Sequence, residues 1–571
     1  MRYCGVSAII QNLRFKNIKH RAAVLLFCLV PLAAGSCFAE RQADIVLGGA
    51  DGESYPLYAR QNATQGIFNL SKTKRYDYSL NKAVSIPPGQ SLEIAYSLQE
   101  SSRPARAAPG SGGGYRIVVK TGGDSGWELP ASLDFLATGA HRIRYAVPLQ
   151  KQPLKSISFE ITGAEDSGAD MRVEGLRLTE RFYGFDTQAG LASPFVGKIV
   201  SEYGGEAILI RPDERYGISG PEALFIKGIM GGTEITAGGF RFSYIEAGNG
   251  EAGSSLTVPS AFLDGDKNSV RIDGGVSSAL LRPEARDEHA TVTADPGFVL
   301  VYPQDKWRGA DFEVFRWERF PNILIFDTAS YEAQDRLFKR LAFFAEKKGF
   351  KGRLARDAEI AALHGWNAHD YSAETLARFF DLAEKTSFRL SGGELALREL
   401  LVETAVINRT GGGFSGGDGA VISISRESPD YLRLTFMAHE GFHGIFFIDA
   451  DFREFCQRRW DNLDGTAKRF IVSYFDSQQY DIGDQYLVLN EFMAHCLQQG
   501  VSASGRYFGE NLAGRLYERS PWRRAVLPPK DEAAGNWPAI AESFRAEAAA
   551  LSGYAHDRWG LAAGRVWGVR P

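Results

Sequence analysis

The stretch Phe436-Met437-Ala438-His439-Glu440-Gly441-Phe442-His443-Gly444-Ile445 constrains this chain more than any other. Its His-Glu-x-x-His spacing sets two imidazoles four residues apart, and on a helix such positions stack on one face. Both rings then aim at one point. A neutral imidazole is a good zinc ligand, and Glu440 sits beside the pair, placed to take a proton from water at the metal. The flanks are apolar and uncharged, as suits a helix that carries a metal inside a cleft. The competing reading is a pair of core histidines satisfied by backbone carbonyls. With only 9 histidines in the chain, the spacing seldom arises by chance.

Zinc needs a third protein ligand and an open position. One source is Asn490-Glu491-Phe492-Met493-Ala494-His495, inside an apolar run, Tyr486 to Gln499, that reads as a second helix. Asn-Glu-x-x-Ala after His-Glu-x-x-His resembles the gluzincin zinc peptidases, which include thermolysin-like and anthrax lethal-factor-like enzymes. The gap from His443 to Glu491 is nearer the second branch. The resemblance implies His439, His443 and Glu491 as zinc ligands and Glu440 as the base that activates water for peptide hydrolysis. It also implies a tyrosine shortly before the glutamate ligand that polarises the scissile carbonyl, for which Tyr480 and Tyr486 are the candidates. Tyr554 and His556 are further candidates for an oxyanion donor. His495, one turn after Glu491, reads as a helix-packing residue near the metal. The other source of a third ligand is Asp449, six residues after His443, where metzincins carry theirs. Metzincins need a glycine three residues after the second histidine, and this chain has Phe446.

Residues 1–39 hold Arg2, Arg14, Lys16, Lys19 and Arg21 and no acid, followed by the apolar run Ala22 to Ala34. That pattern reads as a secretory signal with cleavage after Ala39. Ala34-Gly35-Ser36-Cys37 also resembles a loose bacterial lipobox, which would make a lipidated Cys37 the one membrane attachment. The expected location is therefore outside the cytoplasm: secreted, periplasmic, or lipid-anchored at the cell envelope. Beyond residue 39, 60 Lys and Arg face 69 Asp and Glu, a balance that argues against nucleic acid as a partner. Cys456 and Cys496 remain after the signal, and one pair in an exported protein is most simply a disulfide.

Between residues 40 and 185 the alternation of Leu92, Ile94, Tyr96 and Leu98, of Ile143, Tyr145 and Val147, and of Ile157, Phe159 and Ile161 predicts strands of an antiparallel sandwich or jelly roll. Residues 186–295 look like a second β domain, with glycine pairs such as Gly238-Gly239 and Gly274-Gly275 at its turns. These domains offer a site for a glycan or surface protein, or act as spacers. From 296 to 571 helices dominate, expected over Tyr331–Lys348, Ala373–Lys385, Glu394–Ile407, Phe452–Phe475, Asp484–Gln499 and Ala539–Leu551. The segment His364 to Tyr371 reads as a loop packed under Trp366, with a cleft wall or second metal as its alternatives. The strand Ala420–Ser425, after a glycine-rich turn, resembles the edge strand with which gluzincins pair an extended peptide.

The expected fold is thus multidomain: two N-terminal all-β sandwich-like domains followed by an α+β zincin-type metallopeptidase domain. The expected function is an exported zinc-dependent peptidase, an endopeptidase acting on a peptide or protein substrate. The rival is a cell-envelope binding protein whose zinc-peptidase-like domain is non-catalytic.

Overall fold

Period-2 patterning sets the N-terminal half, and the backbone follows it. The computed structural model describes residues 45–570 apart from 50–51, 60–65, 88, 101–115, 123–125, 131–142, 150–151, 164–168, 202–205, 212–221, 246–253, 264–268 and 285–290. The expected signal segment, its cleavage point and Cys37 lie outside the described residues. So does the glycine-rich turn at 109–114.

Leu92, Ile94 and Tyr96 lie fully buried in the strand Gln90–Glu100, which pairs on one side with Ala169–Glu180 and on the other with Ile143–Pro148. These strands belong to a sheet of 15 strands. It continues through Tyr183–Asp186 to Ser278–Pro283 and Glu222–Lys227. Strands on both sides of residue 185 therefore share one hydrogen-bonded sheet. A second sheet of six strands runs from Val196–Val200 to Phe240–Tyr244 and ends on Val569–Arg570, so the last residues of the chain close a β sheet begun near residue 196.

The C-terminal half is α+β, with most of the helices of the molecule around a sheet of five strands. Its order is Val292–Ala294, Phe312–Trp317, Ile323–Thr328, Ala420–Ser425, His369–Ser372. An aromatic chain joins the halves: Phe242 meets Phe298 at 4.7 Å, Phe262 meets Tyr302 at 5.6 Å, and Tyr302 meets Phe315 at 4.9 Å between ring centroids. Such pairs are worth roughly 0.5–1.5 kcal/mol each beyond the area they bury. Asp295 seals the same junction. Its buried carboxylate accepts from the N–H groups of Gly297 (2.9 Å), Gly568 (2.8 Å) and Val569 (3.3 Å).

Four sequence expectations are corrected here. Ala420–Ser425 is an interior strand, flanked by Ile323–Thr328 and His369–Ser372, and all six of its residues are buried. The terminal strand of this sheet is His369–Ser372, antiparallel to its neighbour, in the segment expected to be a loop. Cys456 and Cys496 are unbonded thiols, both fully buried. The helix expected over 452–475 is also two helices, Ala450–Asn462 and Gly465–Ser477, because Asp464 breaks the run and caps the second by accepting from Thr466 and Ala467. Among the described residues no helix is long and apolar enough to cross a membrane.

Candidate metal centre

The helix that carries the motif spans Asp430–Ile448. Pro429 precedes it in extended conformation and Asp430 opens it, placing a negative charge at the positive end of the helix dipole. Two devices fix its position on the sheet. Arg433, one turn in, grips fully buried Asp327 of Ile323–Thr328 at 2.9 and 3.2 Å, and Arg426 joins the same carboxylate at 2.5 Å. On the packed face, Gly444 lies so close to the sheet that a Cβ there would stand 3.1 Å from Ile323 Cδ1. A Cβ at Gly441 would stand 3.0 Å from Val566 Cγ2. Glycine in a helix interior costs roughly 1 kcal/mol relative to alanine, and here close packing offsets it.

His439 and His443 converge, with their Nε2 atoms 3.1 Å apart and their rings nearly perpendicular. Glu491 comes from the helix Gln485–Leu497, which Asp484 caps by accepting from Tyr486 and Leu487. Its Oε2 lies 3.8 Å from His439 Nε2 and its Oε1 lies 3.8 Å from His443 Nε2. Ligand atoms about 2.1 Å from a tetrahedral zinc would be about 3.4 Å from one another, so these separations suit a common ion. Among the described residues two groups of ligand-type side chains could hold a metal ion: His439, Glu491 and His495, and Asp370, Glu440 and His443. Within each, all ligand atoms lie within 4.8 Å of one another.

Asp370, His439, Glu440, Glu491 and His495 face a cavity of ≈ 400 Å³ whose walls also include Glu346, Trp366, Tyr474, Tyr480 and Tyr507, while His443 is fully buried. Trp366 stacks on Tyr480 at 5.4 Å and donates its indole N–H to Glu346 at 2.8 Å. Lys347 sits 3.0 Å from the Trp366 ring centroid.

The electrostatics of the cavity suit a bound cation. Burial, reinforced by neighbouring carboxylates, holds Glu440 and Glu491 well above the ordinary carboxyl range. Burial lifts Asp370 to about 7, against a hydrogen bond with Glu440, and burial beside Asp370 lifts Glu346 to about 8. Four carboxyl groups thus crowd one space, and Lys347 beside them is itself pushed down by burial to about 8. Glu440 Oε2 and Glu491 Oε2 are buried with no hydrogen-bond partner in the protein. The imidazoles are neutral for the same reason: burial pushes His443 down to about 4 and takes His439 and His495 well below their ordinary value. Neutral imidazoles with crowded, orphaned carboxylate oxygens form the donor set that a divalent cation requires.

The other residues singled out in the sequence divide. Tyr480 lines the cavity, its phenol kept neutral by burial and by Glu491, and as a hydrogen-bond donor it lowers Glu491. Tyr486 is 48% exposed and packs on Phe446 instead. Asp449 ends the motif helix and caps the next one, accepting from Phe452 N–H at 2.8 Å and pairing with Arg558 at 3.0 Å. Its carboxylate is committed there. Tyr554 stacks on Phe452 and Phe455, and His556 is exposed on the last long helix, Pro538–Trp559. Asp370, Glu346, Tyr474 and Tyr507 line the cavity without having been singled out for it. The one hint was the His364–Tyr371 segment, whose cleft-wall alternative matches the position of His364 and Trp366 in the cavity wall.

Comparison of the chain with models of known protein families and with curated proteins gives no match.

Proposed function

We propose that this chain is an exported zinc peptidase of gluzincin type, with His439, His443 and Glu491 as zinc ligands and Glu440 as general base and then general acid. One observation carries the reading: two imidazole Nε2 atoms 3.1 Å apart, each 3.8 Å from an oxygen of Glu491, with Glu440 in the same cavity. When bound there, zinc would supply a Lewis acid that acidifies water and polarises a carbonyl. Glu440 would take the water's proton and hand it to the leaving amine. Its neighbour Asp370 shares a hydrogen bond with it and holds its carboxyl in the cavity.

Tyr480 is the better placed of the two tyrosines to donate to the developing oxyanion, because it is protonated and lines the cavity while Tyr486 is exposed. An extended substrate would add to the terminal strand His369–Ser372, whose residue Asp370 already faces the ligands: His443 Nε2 lies 3.9 Å from its Oδ1. The five-stranded sheet and the helices on it would then be a zincin-type catalytic domain. The N-terminal β region would position the enzyme or bind a glycan or surface protein.

The test is metal content of the purified full-length protein and its cleavage of a peptide library with and without a chelator. The expected result is one zinc per chain and cleavage that the chelator abolishes and zinc restores. Absence of zinc, or cleavage indifferent to the chelator, would discard the reading.

A further inference from the structure

We propose that Glu346 is a specificity-determining residue that receives a cationic group of the substrate, either its α-ammonium or the side chain of a Lys or Arg. The inference rests on the metal-peptidase reading above and names the substrate class of the same cavity.

Glu346 follows the helix Tyr331–Ala345 as its C-cap, and the chain around it is tied to the segment that carries Tyr480. Asp481 N–H donates to the Glu346 carbonyl at 3.3 Å, and Lys347 pairs with Tyr480 in an antiparallel bridge. The side chain is thereby set in the cavity wall, 7% exposed. Its Oε2 accepts from the Trp366 indole N–H at 2.8 Å. Its Oε1 has no hydrogen-bond partner among the described residues, and no Lys, Arg or His among them forms an ion pair with this carboxylate. Lys347, the neighbour that could do so, places its ammonium 3.0 Å from the Trp366 ring centroid, and Lys351 pairs with Asp484. A buried carboxylate is ordinarily paired, as Asp327 is with its two arginines. Glu346 has one neutral donor and an open oxygen in a cavity.

Zinc does not complete the balance. Asp370, Glu440, Glu491 and Glu346 bring four formal negative charges, against two positive on the ion and one on Lys347. One further cation is called for, and the open oxygen of Glu346 is where it fits. Ala368, Trp366 and Phe436 line the same cavity and give the stem of a Lys or Arg apolar surface to lie on. Trp366 stacks on Tyr480 at 5.4 Å, and Tyr480 donates to Glu491. A cation at Glu346 therefore stands one ring pair from a metal ligand, within reach of a side chain or an N-terminus next to the scissile bond.

The experiment compares matched peptides on zinc-loaded full-length protein. One pair differs by Lys against norleucine beside the cleaved bond, the other by a free against an acetylated N-terminus. In the parent, kcat/KM should favour the cationic member of one pair at least about 30-fold, the low end of the loss when one partner of a buried charge pair is removed. The pair that shows the preference identifies the source of the cation. Glu346→Gln, which can still accept from Trp366, should bring that ratio close to one. A ratio that survives in Glu346→Gln overturns the proposal. A parent that cleaves both members of both pairs equally well also overturns it, and leaves the peptidase reading intact. A zinc-loaded parent that cleaves none of the four overturns both. If Glu346→Gln does not fold, inhibition of the parent decides: butylguanidinium should compete with the preferred peptide, and its neutral isostere butylurea should not. Equal effects of the two would overturn the proposal.

Discussion

Two sets of buried acids lie on either side of the motif helix, and they are handled in opposite ways. Under its first turn, Asp327 is fully buried but meets two arginines, Arg433 and Arg426. In the cavity, Glu440 and Glu491 are as deeply buried, yet their neighbours are Asp370, Glu346 and neutral imidazoles. The first set holds the helix to the sheet and is complete without any ligand. The second is incomplete, since like charges in a low-dielectric space repel and desolvation adds to the cost. A fold tolerates such crowding where a cation is to be received, so the contrast separates scaffold from site more clearly than burial or composition does.

The largest effect should come from the incomplete side. Glu440→Gln should keep zinc, because Glu440 is the base rather than a ligand, and should lower turnover by about 10²–10⁴-fold or more, since one residue serves both proton transfers. Glu491→Ala should remove zinc and activity together. Equal rates for Glu440→Gln and the parent would end the mechanism proposed for this cavity. Next is the complete side. Asp327→Ala leaves two buried arginines without their carboxylate and should cost about 3–5 kcal/mol in denaturant unfolding. A loss under about 1 kcal/mol would mean that the ion cluster does not hold the helix.

The contrast also has a pH signature. In chelator-treated protein, Asp370 titrates at about 7 and Glu346 at about 8, above their ordinary values of 3.8 and 4.5. A carboxyl group whose folded pKa is raised contributes stability that is fully present below its unfolded pKa and is lost as pH rises through the folded one. The metal-free protein should therefore lose thermal stability between about pH 4 and pH 8, and Asp370→Asn should reduce that loss. Zinc should flatten the profile. A metal-free melting temperature that rises over this window would refute the crowding argument.

The fold and the site were legible to different depths, for physical reasons. The motif helix stood out because His439, Glu440 and His443 lie within about one turn, and Glu491 because its helix carries a second short motif. At Ala420–Ser425 the resemblance to gluzincins implied an edge strand, yet even its polar residues, Ser423 and Ser425, do not face solvent. Both are buried, with Ser423 accepting from the Gln334 amide at 3.2 Å and Ser425 accepting from Glu427 N–H at 3.3 Å. Asp370 lay in the His364–Tyr371 segment but was not itself singled out, because it reaches the cavity only through pairing of a four-residue strand with residues 420–423, some fifty positions away. The disulfide expectation came from compartment alone. Packing put each cysteine on a helix in the apolar core, where burial raises both thiols well above their ordinary value.

Asp449 gives a smaller test of which carboxylate serves the metal. Asp449→Ala should leave zinc and activity intact and cost about 1 kcal/mol, the usual worth of a helix cap, because the residue caps the following helix and its pair with half-exposed Arg558 adds little. Loss of zinc in this variant would return the metzincin-type ligand to consideration.

The smallest expected effect concerns how Tyr480 reaches the cavity. The helix Gly465–Ser477 ends with Gln479 at φ +68°, a left-handed conformation that costs a residue with a Cβ roughly 1–2 kcal/mol. That turn reverses the chain: Tyr480 N–H bonds back to Phe475 O at 3.2 Å, and Lys348 N–H donates to the carbonyl of Gln479 at 3.1 Å. The exposed Gln479 side chain is dispensable to this arrangement, so glycine should adopt the same turn without the steric penalty. Some of the gain is lost because glycine is freer in the unfolded chain, leaving a net stabilisation of about 0.5–1 kcal/mol. Gln479→Val should destabilise by a similar amount, since a branched side chain fits this conformation worst. If the strain itself plays no part in aiming Tyr480, Gln479→Gly should raise stability with kcat unchanged. A fall in kcat with unchanged KM would instead assign the strained turn a share in holding the phenol against the reacting carbonyl.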